Sequence, residues 1–513
     1  MRLMVLITAF VFINYIPAVR GQESPQPNTP ADFWSYDVKQ KVTEKAPLLL
    51  PVQPSVTHHQ ISINGQTLSY TATADTLPIR NATTGITEGE IFYIYYARND
   101  STAAINRPII FAFNGGPGTA TIWLHMVGFG PKRIHLAADG SAPNMPYGYD
   151  DNANTLLDQA DLVFIDPVGT GYSRPSDPSQ GTKFWGMKND VASIGEFIRL
   201  FLVHYDRWLS PKYILGESYG TYRAVELGNY LVDRGMTLDG IILISSLFQD
   251  DTRAGDVGCV NFIPTFSLVA WYHKRLPPDL QKLSLEQIAQ EAEKFASGEY
   301  MNALYQGTRL TPEERERVAD DLTRFTGLPK QFIESNDLRV SLPRFMTELL
   351  RNKGLMIGRL DGRMTAWVPD GAALQPRFDA AEQKVYNSVV PAFGDYVRRE
   401  LGYKDDAIYY VAGGGIGTWP GVREAAPDVE EAFARNPKMH LFVAEGYFDL
   451  ATIYYGFEWS LSHLRLAPEV RDRDITVHRY RSGHMVYTDQ KALQELRQDL
   501  RRWLQSTGQR SGG

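Results

Sequence analysis

The amino-acid sequence predicts an α/β fold with a central, mostly parallel sheet that is covered by helices on both faces. Short apolar runs at residues 108–113, 162–166, 213–216, 240–245, 440–444 and 475–479 alternate with helical stretches, as expected for buried parallel strands joined by crossover helices. Ahead of them, segments 60–63 and 67–73 flank Asn64-Gly65, a strong hairpin signal, and residues 90–97 alternate as a strand does. The sheet is therefore expected to begin with an antiparallel edge.

An inserted helical cap is predicted between the strands at 240–245 and 440–444. The segment that joins them is too long for one crossover connection, and its charge and helical periodicity indicate helices, for example at 284–296, 312–324 and 341–352. We therefore expect an α/β core in two parts, residues 56–254 and 405–513, with a cap of residues 255–404 inserted over the strand ends.

The first residues have the architecture of a signal peptide. Arg2 precedes an apolar stretch from Leu3 to Ile13, and small residues follow around 18–21. This stretch is shorter than the ~20 apolar residues that cross a bilayer, so cleavage is expected, with an uncleaved anchor as the alternative. We predict a signal peptide at 1–21 and a flexible lead-in at 22–55. The protein is then exported, periplasmic or secreted, with no stable membrane insertion after signal removal.

Composition and charge exclude several function classes. With 43% hydrophobic and 22% charged residues, the chain of 513 residues fits neither a disordered nor a fibrous protein. Its formal net charge of -7 argues against nucleic acid as a partner, since nucleic-acid-binding proteins normally carry a basic patch. Cys259 is the single cysteine, so no disulfide can form within the chain. Nothing in the sequence indicates the oligomeric state.

The motif Gly-Glu-Ser-Tyr-Gly at residues 216–220 points to a nucleophilic serine. It follows a strand-like segment and precedes a helical pattern that runs to about residue 231. In this context the flanking glycines let the backbone turn tightly and expose the serine hydroxyl, which is the nucleophile elbow of the α/β-hydrolase fold. Ser218 is therefore the predicted nucleophile.

A serine nucleophile needs a general base and an acid that orients the base, in the order Ser, acid, His along an α/β-hydrolase chain. His484 lies in a loop after the final strand, where the base belongs. Asp449 follows the strand at 440–444, and Glu445 in the same turn is the rival acid, for which a surface position is the simpler interpretation. The other histidines after Ser218 have ordinary structural interpretations; they are His273, His440, His463 and His478.

A glycine-rich turn, Asn-Gly-Gly-Pro-Gly at residues 114–118, follows the strand at 108–113. Glycines allow backbone N–H groups to approach a substrate oxygen, as an oxyanion hole requires. The expected donors are the amides of Gly116 and of Tyr219, the residue after the nucleophile.

Taken together, these motifs resemble the serine carboxypeptidase family. The resemblance rests on residues 114–118, Asp-Pro-Val-Gly-Thr-Gly-Tyr-Ser at 166–173, 216–220, Gly-Tyr-Phe-Asp at 446–449 and Gly-His-Met at 483–485, which occur in family order. It implies removal of C-terminal residues from peptides with a free C-terminus. It also implies that Asn114 and Glu217 bind the substrate carboxylate.

The chain departs from the family pattern at two places near the glycine motif. The motif continues as Thr-Ala-Thr at 119–121, where family members commonly have cysteine and serines. The second carboxylate-binding glutamate that often precedes a Gly-Pro pair by two residues is absent, since Gly128 stands at that position. Lys132 and Arg133 follow closely and are candidates for a substitute grip on the carboxylate, although solvated surface cations are the simpler interpretation.

The leading functional hypothesis is a serine-type carboxypeptidase that acts through an acyl-enzyme on Ser218. An esterase or acyltransferase on the same scaffold is the alternative, because the acyl-enzyme can form from an ester and pass to an alcohol. A non-catalytic binding protein is disfavoured by the intact motifs. No metal or organic cofactor is expected, because the sequence contains neither a metal-binding motif nor a nucleotide-binding glycine loop.

Overall fold

A ten-stranded sheet forms the centre of the protein in the computed structural model, which describes residues 52–368, 374–413, 419–420 and 424–510. The strands of these residues are β1 (Ser55–Ile63), β2 (Gln66–Arg80), β3 (Thr87–Arg98), β4 (Ile109–Phe113), β5 (Lys132–Ile134), β6 (Tyr149–Asp151), β7 (Asp161–Ile165), β8 (Arg174–Pro175), β9 (Lys212–Glu217), β10 (Gly240–Ile244), β11 (Leu355–Ile357), β12 (Thr365–Trp367), β13 (His440–Gly446) and β14 (Ile475–Tyr480).

The sheet has the order β1-β2-β3-β7-β4-β9-β10-β13-β14, with β8 paired to β3. Strands β1 to β3 are antiparallel, β3 is antiparallel to β7, and β7, β4, β9, β10, β13 and β14 pair in parallel. The predicted parallel strands and the antiparallel edge are therefore confirmed. Asn64 and Gly65 join β1 to β2 with φ angles of 51° and 77°, the left-handed conformation that a two-residue hairpin turn requires.

The parallel strands inside the edge strand β14 are buried on both faces, and successive side chains alternate between two hydrophobic clusters. On β4, Ile110 and Ala112 pack into one cluster, whereas Ile109, Phe111 and Phe113 pack into the other. Because parallel strands end at the same edge of a sheet, the loops that follow β4, β9, β10, β13 and β14 are brought together there.

Helices cover both faces of the sheet, as the sequence predicts. They are α1 (Met187–His204), α2 (Tyr219–Val232), α3 (Gly255–Tyr272), α4 (Pro278–Gln281), α5 (Leu285–Phe295), α6 (Met301–Gln306), α7 (Pro312–Thr326), α8 (Lys330–Ser335), α9 (Leu342–Glu348), α10 (Ala380–Arg399), α11 (Ala426–Arg435), α12 (Tyr454–Ser462), α13 (Pro468–Asp474) and α14 (Gln490–Arg510). Helices α1, α2 and α11 contribute to one cluster, and α10 and α14 contribute to the other.

The segment between β10 and β13 begins with a group of helices, α3 to α9. Capping boxes at Ser284 and Thr311 start α5 and α7, and Phe266 of α3 stacks on Phe345 of α9 with ring centroids 3.8 Å apart. Helix α10 packs against the sheet instead, and the hydroxyl of Tyr396 lies 2.9 Å from that of Tyr96 on β3. The insertion at 255–404 and its boundaries stay a prediction.

The expected signal peptide, and the expected lead-in up to residue 51, lie outside the described residues. Within the described part of the chain, no helix combines the length and the apolar character that a bilayer crossing demands.

Candidate active site

Ser218 lies in a sharp turn between β9 and α2. Its φ and ψ angles are 57° and -127°, a strained conformation for a residue with a side chain. The turn is tight because a β-carbon added at Gly216 would lie 2.2 Å from the carbonyl oxygen of Gly220. The Ser218 amide donates a hydrogen bond of 3.0 Å to the carbonyl oxygen of Ile244 at the end of β10. This is the geometry of a nucleophile elbow.

Asp449 and His484 come together at the same edge of the sheet. Asp449 lies in the turn after β13, His484 lies in the loop after β14, and His484 Nδ1 is 2.8 Å from Asp449 Oδ2. Both side chains are buried. The loop of His484 also meets the end of β10, since Ser245 Oγ donates to the His484 carbonyl oxygen at 2.5 Å. With Nδ1 paired to the carboxylate, Nε2 is the ring nitrogen that can exchange a proton with a hydroxyl.

Thr452 contacts both Asp449 and His484, and it is not among the site residues predicted from the sequence. Its hydroxyl donates to Asp449 Oδ2 at 2.5 Å and lies 3.0 Å from His484 Nδ1. The backbone amides of Ala451 and Thr452 donate to Asp449 Oδ1 at 2.7 and 3.0 Å. The carboxylate is thus held on both oxygens, which fixes its orientation toward His484. The spacing Asp-x-x-Thr in a turn is the signal that could have indicated this contact.

A short segment that precedes α10 supports both loops. The His484 amide donates to the Leu360 carbonyl oxygen at 2.6 Å, and the Leu450 amide donates to the Arg359 carbonyl oxygen at 3.0 Å. A β-carbon at Gly483 would lie 2.4 Å from the Leu360 carbonyl oxygen, so the approach depends on glycine. The backbone that carries Asp449 and His484 is therefore fixed by residues far away in sequence.

The glycine-rich turn at 114–118 lies against the backbone after the nucleophile. A β-carbon at Gly115 would be 2.5 Å from the Tyr219 amide nitrogen, and Gly116 has a φ angle of 104° that favours glycine. The predicted oxyanion donors, the amides of Gly116 and Tyr219, thus belong to two segments in close contact.

The motif at 166–173 anchors this glycine turn. Asp166 is buried, and its Oδ1 accepts a hydrogen bond of 2.8 Å from the Thr121 amide. A β-carbon at Gly171 would lie 1.7 Å from Asp166 Oδ2, so the loop needs glycine there. Burial raises the pKa of Asp166 to about 7. These contacts position residues 119–121 behind the turn.

Glu217 lies directly before the nucleophile and is 4% exposed. Its Oε2 accepts a hydrogen bond from the Tyr487 hydroxyl, and the Asn114 amide group interacts with both side chains. Asn114 Oδ1 accepts from the Leu124 amide at 3.0 Å, so its NH2 group is the part that can face Glu217. Burial raises the pKa of Glu217 to about 7, although the interactions with His484, Tyr487 and Asn114 oppose this rise.

The expectation that Glu445 lies at the surface is wrong. It is fully buried at the end of β13, and its Oε1 accepts a hydrogen bond of 2.9 Å from the Ser246 amide. Burial raises its pKa well above the usual range. His484 Nδ1 pairs with Asp449, whereas Glu445 binds the end of β10.

Lys132 and Arg133 are also not solvated cations. Lys132 pairs with Asp151 at 2.9 Å and with Glu400 at 3.4 Å. Arg133 is largely buried; it donates to the Val127 carbonyl oxygen at 2.9 Å, and burial lowers its pKa to about 10. Both side chains therefore have structural partners.

The other histidines after Ser218 have partners away from the elbow. Among them, His273 Nε2 lies 2.7 Å from the Gly362 carbonyl oxygen, and His463 Nδ1 lies 2.7 Å from the Trp459 carbonyl oxygen. In the described residues, no group of three or more His, Cys, Asp or Glu side chains is arranged to hold a metal ion.

Comparison with known proteins agrees with this architecture. Residues 83–250 match the family model of the serine carboxypeptidases, which covers the glycine turn and the elbow. Over these residues, the chain is similar to the serine carboxypeptidase family. Pheromone-processing carboxypeptidase KEX1 of Saccharomyces cerevisiae is 32% identical over 137 residues, which are 25% of this chain and 18% of that protein. Serine carboxypeptidase-like 36 of Arabidopsis thaliana is 28% identical over 174 residues, which are 31% of this chain and 33% of the relative.

The alignments thus span at most a third of these curated relatives. The crystal structure of a truncated yeast KEX1, titled a prohormone-processing carboxypeptidase, matches over 86% of this chain and 91% of its own. The TM-score is 0.53 and the identity is 16%, so this match shows the shared α/β-hydrolase fold.

Proposed function

We propose that the protein is an exported serine carboxypeptidase that removes the C-terminal residue of peptides. Its catalytic residues are Ser218, His484 and Asp449, and the acyl-enzyme forms on Ser218. The observation that carries the proposal is the buried, protonatable Glu217 beside Asn114, directly before the nucleophile. A buried carboxyl group that is neutral at mildly acidic pH can donate a hydrogen bond to a substrate carboxylate, which a charged carboxylate would repel.

Acylation begins when Ser218 Oγ attacks the carbonyl carbon of the last peptide bond. His484 Nε2 takes the serine proton, and Asp449 stabilises the imidazolium that forms, with Thr452 holding the carboxylate oxygen. The amides of Gly116 and Tyr219 donate to the oxyanion of the tetrahedral intermediate. When this intermediate collapses, the C–N bond breaks, His484 gives its proton to the leaving amine, and the C-terminal amino acid departs.

Deacylation uses the same groups in the reverse roles. Water attacks the ester carbonyl, His484 accepts a proton from the water, and the second tetrahedral intermediate is again stabilised by the amides of Gly116 and Tyr219. Collapse returns the proton from His484 to Ser218 Oγ and releases the shortened peptide with a new C-terminal carboxylate.

The relatives support this substrate class, since one is a pheromone-processing carboxypeptidase of yeast and another is a serine carboxypeptidase-like protein of a plant. An esterase or acyltransferase uses the same triad, but it has no need for Glu217 and Asn114 as a carboxylate-binding pair. Export rests on the signal-peptide architecture of residues 1–21. We further propose that α3 to α9, within the predicted insertion at 255–404, form a cap that borders the substrate site.

Mass spectrometry of peptide products tests the proposal. Incubation with N-blocked peptides should release single residues from a free C-terminus, while the same peptides with a C-terminal amide should react far more slowly. The Ser218→Ala variant is the control and should yield no products. Cleavage at internal bonds, equal rates on both forms, or hydrolysis confined to esters would contradict a carboxypeptidase.

A further inference from the structure

Tyr487 lies three residues after His484 in a short turn and is fully buried. Its hydroxyl group donates a hydrogen bond to Glu217 Oε2. The side chain therefore does not contact solvent, and its polar end is directed at the carboxyl group beside the nucleophile. Any effect of Tyr487 on the substrate therefore acts through the buried groups that it contacts, which are Glu217 and Asn114.

Packing fixes the Tyr487 ring in this position. A β-carbon added at Gly128 would lie 3.4 Å from the ring, so the ring covers the space that a longer side chain at Gly128 would occupy. Phe129 packs on it edge to face, with centroids 6.2 Å apart, and Arg133 Nη2 donates to the Tyr487 carbonyl oxygen at 3.1 Å. Asn152 Nδ2 holds the Gly128 carbonyl oxygen at 2.8 Å. The hydroxyl is thus placed by contacts on both the ring and the backbone.

In the contact between Tyr487 and Glu217, the phenol is the donor and the carboxyl group is the acceptor. Burial raises the pKa of the Tyr487 hydroxyl well above its usual value, so in the neutral range the phenol keeps its proton and remains a donor to Glu217. A donor stabilises the ionised carboxylate more than the neutral acid. Besides Tyr487, the titratable groups that interact with Glu217 are His484, which favours its ionised form when protonated, and Asp449, which opposes it.

We propose that Tyr487 is a positioning residue for recognition of the substrate's C-terminal carboxylate: it holds Oε2 of Glu217 and favours the charged form of that group. This inference rests on the proposed carboxypeptidase function. Oε1 of Glu217 is then the oxygen that carries the proton toward a bound carboxylate. Because the charged form repels the substrate, Tyr487 sets an upper pH limit for binding of peptides with a free C-terminus.

Tyr487→Phe removes the hydroxyl and keeps the ring that covers Gly128. The ionised form of Glu217 loses a charge-assisted hydrogen bond, so its pKa should rise by about 1 pH unit or more. Binding of a free-carboxylate peptide should then persist to higher pH by the same amount. The change belongs in KM, whereas kcat on saturating substrate should change less than about threefold.

The test compares pH profiles of KM and kcat between pH 5 and 9 on an N-blocked dipeptide with a free C-terminus and on its C-terminal amide. The matched control is Tyr480→Phe, because Tyr480 is a buried tyrosine whose hydroxyl donates to Asp499 at 2.8 Å, away from Glu217. We expect the alkaline rise in KM to move upward in Tyr487→Phe for the free acid only. In Tyr480→Phe it should stay in place.

A second measurement strengthens the Tyr487 donor instead of removing it, and it keeps the hydroxyl group in place. When 3-fluorotyrosine is incorporated at position 487 alone, its phenol is more acidic and a stronger donor, so the alkaline limit for the free acid should move to lower pH. In the Glu217→Gln background, Tyr487→Phe should produce no further shift, because the titrating group is gone.

The outcomes distinguish failure of the proposed carboxypeptidase function from failure of the role of Tyr487. If wild-type protein shows no preference for the free acid over the amide, the proposed function fails. If it shows the preference, but the Tyr487→Phe profile coincides with the wild-type profile, or moves equally on both substrates, or shifts further in the Glu217→Gln background, then Tyr487 does not act through Glu217. An unchanged limit with 3-fluorotyrosine overturns the inference in the same way.

Discussion

Asp449→Asn is the sharpest test of the proposed triad, because the surrounding donors determine how an amide must sit. Oδ1 accepts from the amides of Ala451 and Thr452 at 2.7 and 3.0 Å, while Oδ2 faces the Thr452 hydroxyl and His484 Nδ1. An asparagine oxygen has to take the Oδ1 position, since an NH2 group there would oppose two N–H donors. The NH2 group therefore faces His484.

This orientation reverses the tautomer of the His484 ring. An NH2 donor at the Oδ2 position requires His484 Nδ1 to accept, so the ring proton moves to Nε2 and the ring can no longer take a proton from Ser218. In a comparable serine protease triad the same substitution lowers kcat ~10⁴-fold. At 1.36 kcal/mol per tenfold, this is about 5.5 kcal/mol of transition-state stabilisation. The fold should persist, because the amide keeps the size of the carboxylate.

The assay is kcat and kcat/KM on an N-blocked dipeptide at pH 6 to 8, with thermal unfolding to confirm the fold. Glu445→Gln is the matched control: Glu445 is also a buried carboxyl group, at the end of β13, but it accepts from the Ser246 amide, and an amide oxygen can replace it there. Its kcat should change less than about threefold, since the amide preserves that hydrogen bond. A fall of less than tenfold in Asp449→Asn, or a larger fall in Glu445→Gln, would refute the assignment.

Three further predictions concern the neighbouring groups. Ser218→Ala should abolish labelling by a fluorophosphonate probe and lower kcat by roughly 10⁴-fold or more, with binding retained; persistent labelling excludes Ser218 as the nucleophile. Thr452→Val should lower kcat by roughly 10-fold, because one donor to Asp449 is lost, and Thr452→Ser should restore it; equal losses in both variants would point to packing alone. Burial raises the pKa of Glu217 to about 7, so between about pH 4.5 and 7 this group ionises in the unfolded chain while it stays protonated in the folded protein, and folded-state stability should fall over that range. The melting temperature of Glu217→Gln relative to wild type should therefore increase with pH. A difference that stays constant with pH contradicts this ionisation.

Much of the fold was predictable because the strands are short, apolar and buried on both faces. The predicted strand at 213–216 is β9, the one at 440–444 is β13, and the hairpin at Asn64-Gly65 joins β1 and β2. The elbow was predictable for a similar reason, since only small residues permit the contact between Gly216 and Gly220. Local constraints of this kind leave a readable pattern in the sequence.

Contacts between distant segments left no such pattern. The support of His484 by the Leu360 carbonyl oxygen depends on the path of a loop more than one hundred residues earlier, and a backbone acceptor has no residue signature. Tyr487 was overlooked because its partner Glu217 lies at the end of β9, 270 positions away in the sequence. Glu445 was misplaced because a carboxyl group at a strand end is ordinarily solvated, and its burial follows from the neighbouring loops.

Three of the buried carboxyl groups at one edge of the sheet, those of Asp449, Glu445 and Glu217, have different surroundings. Asp449 receives hydrogen bonds on both oxygens from Ala451, Thr452 and His484, an arrangement that orients its carboxylate toward the imidazole ring. Glu445 receives the Ser246 amide, and burial keeps its pKa far above the usual range, so it stays neutral and adds no repulsion beside Asp449. Glu217 has its pKa raised to about 7 and a phenol donor on one oxygen. Like Asp166, Glu217 can change its charge in the neutral range, and because it lies directly before Ser218 it is the group through which pH can control access of a substrate carboxylate to the nucleophile.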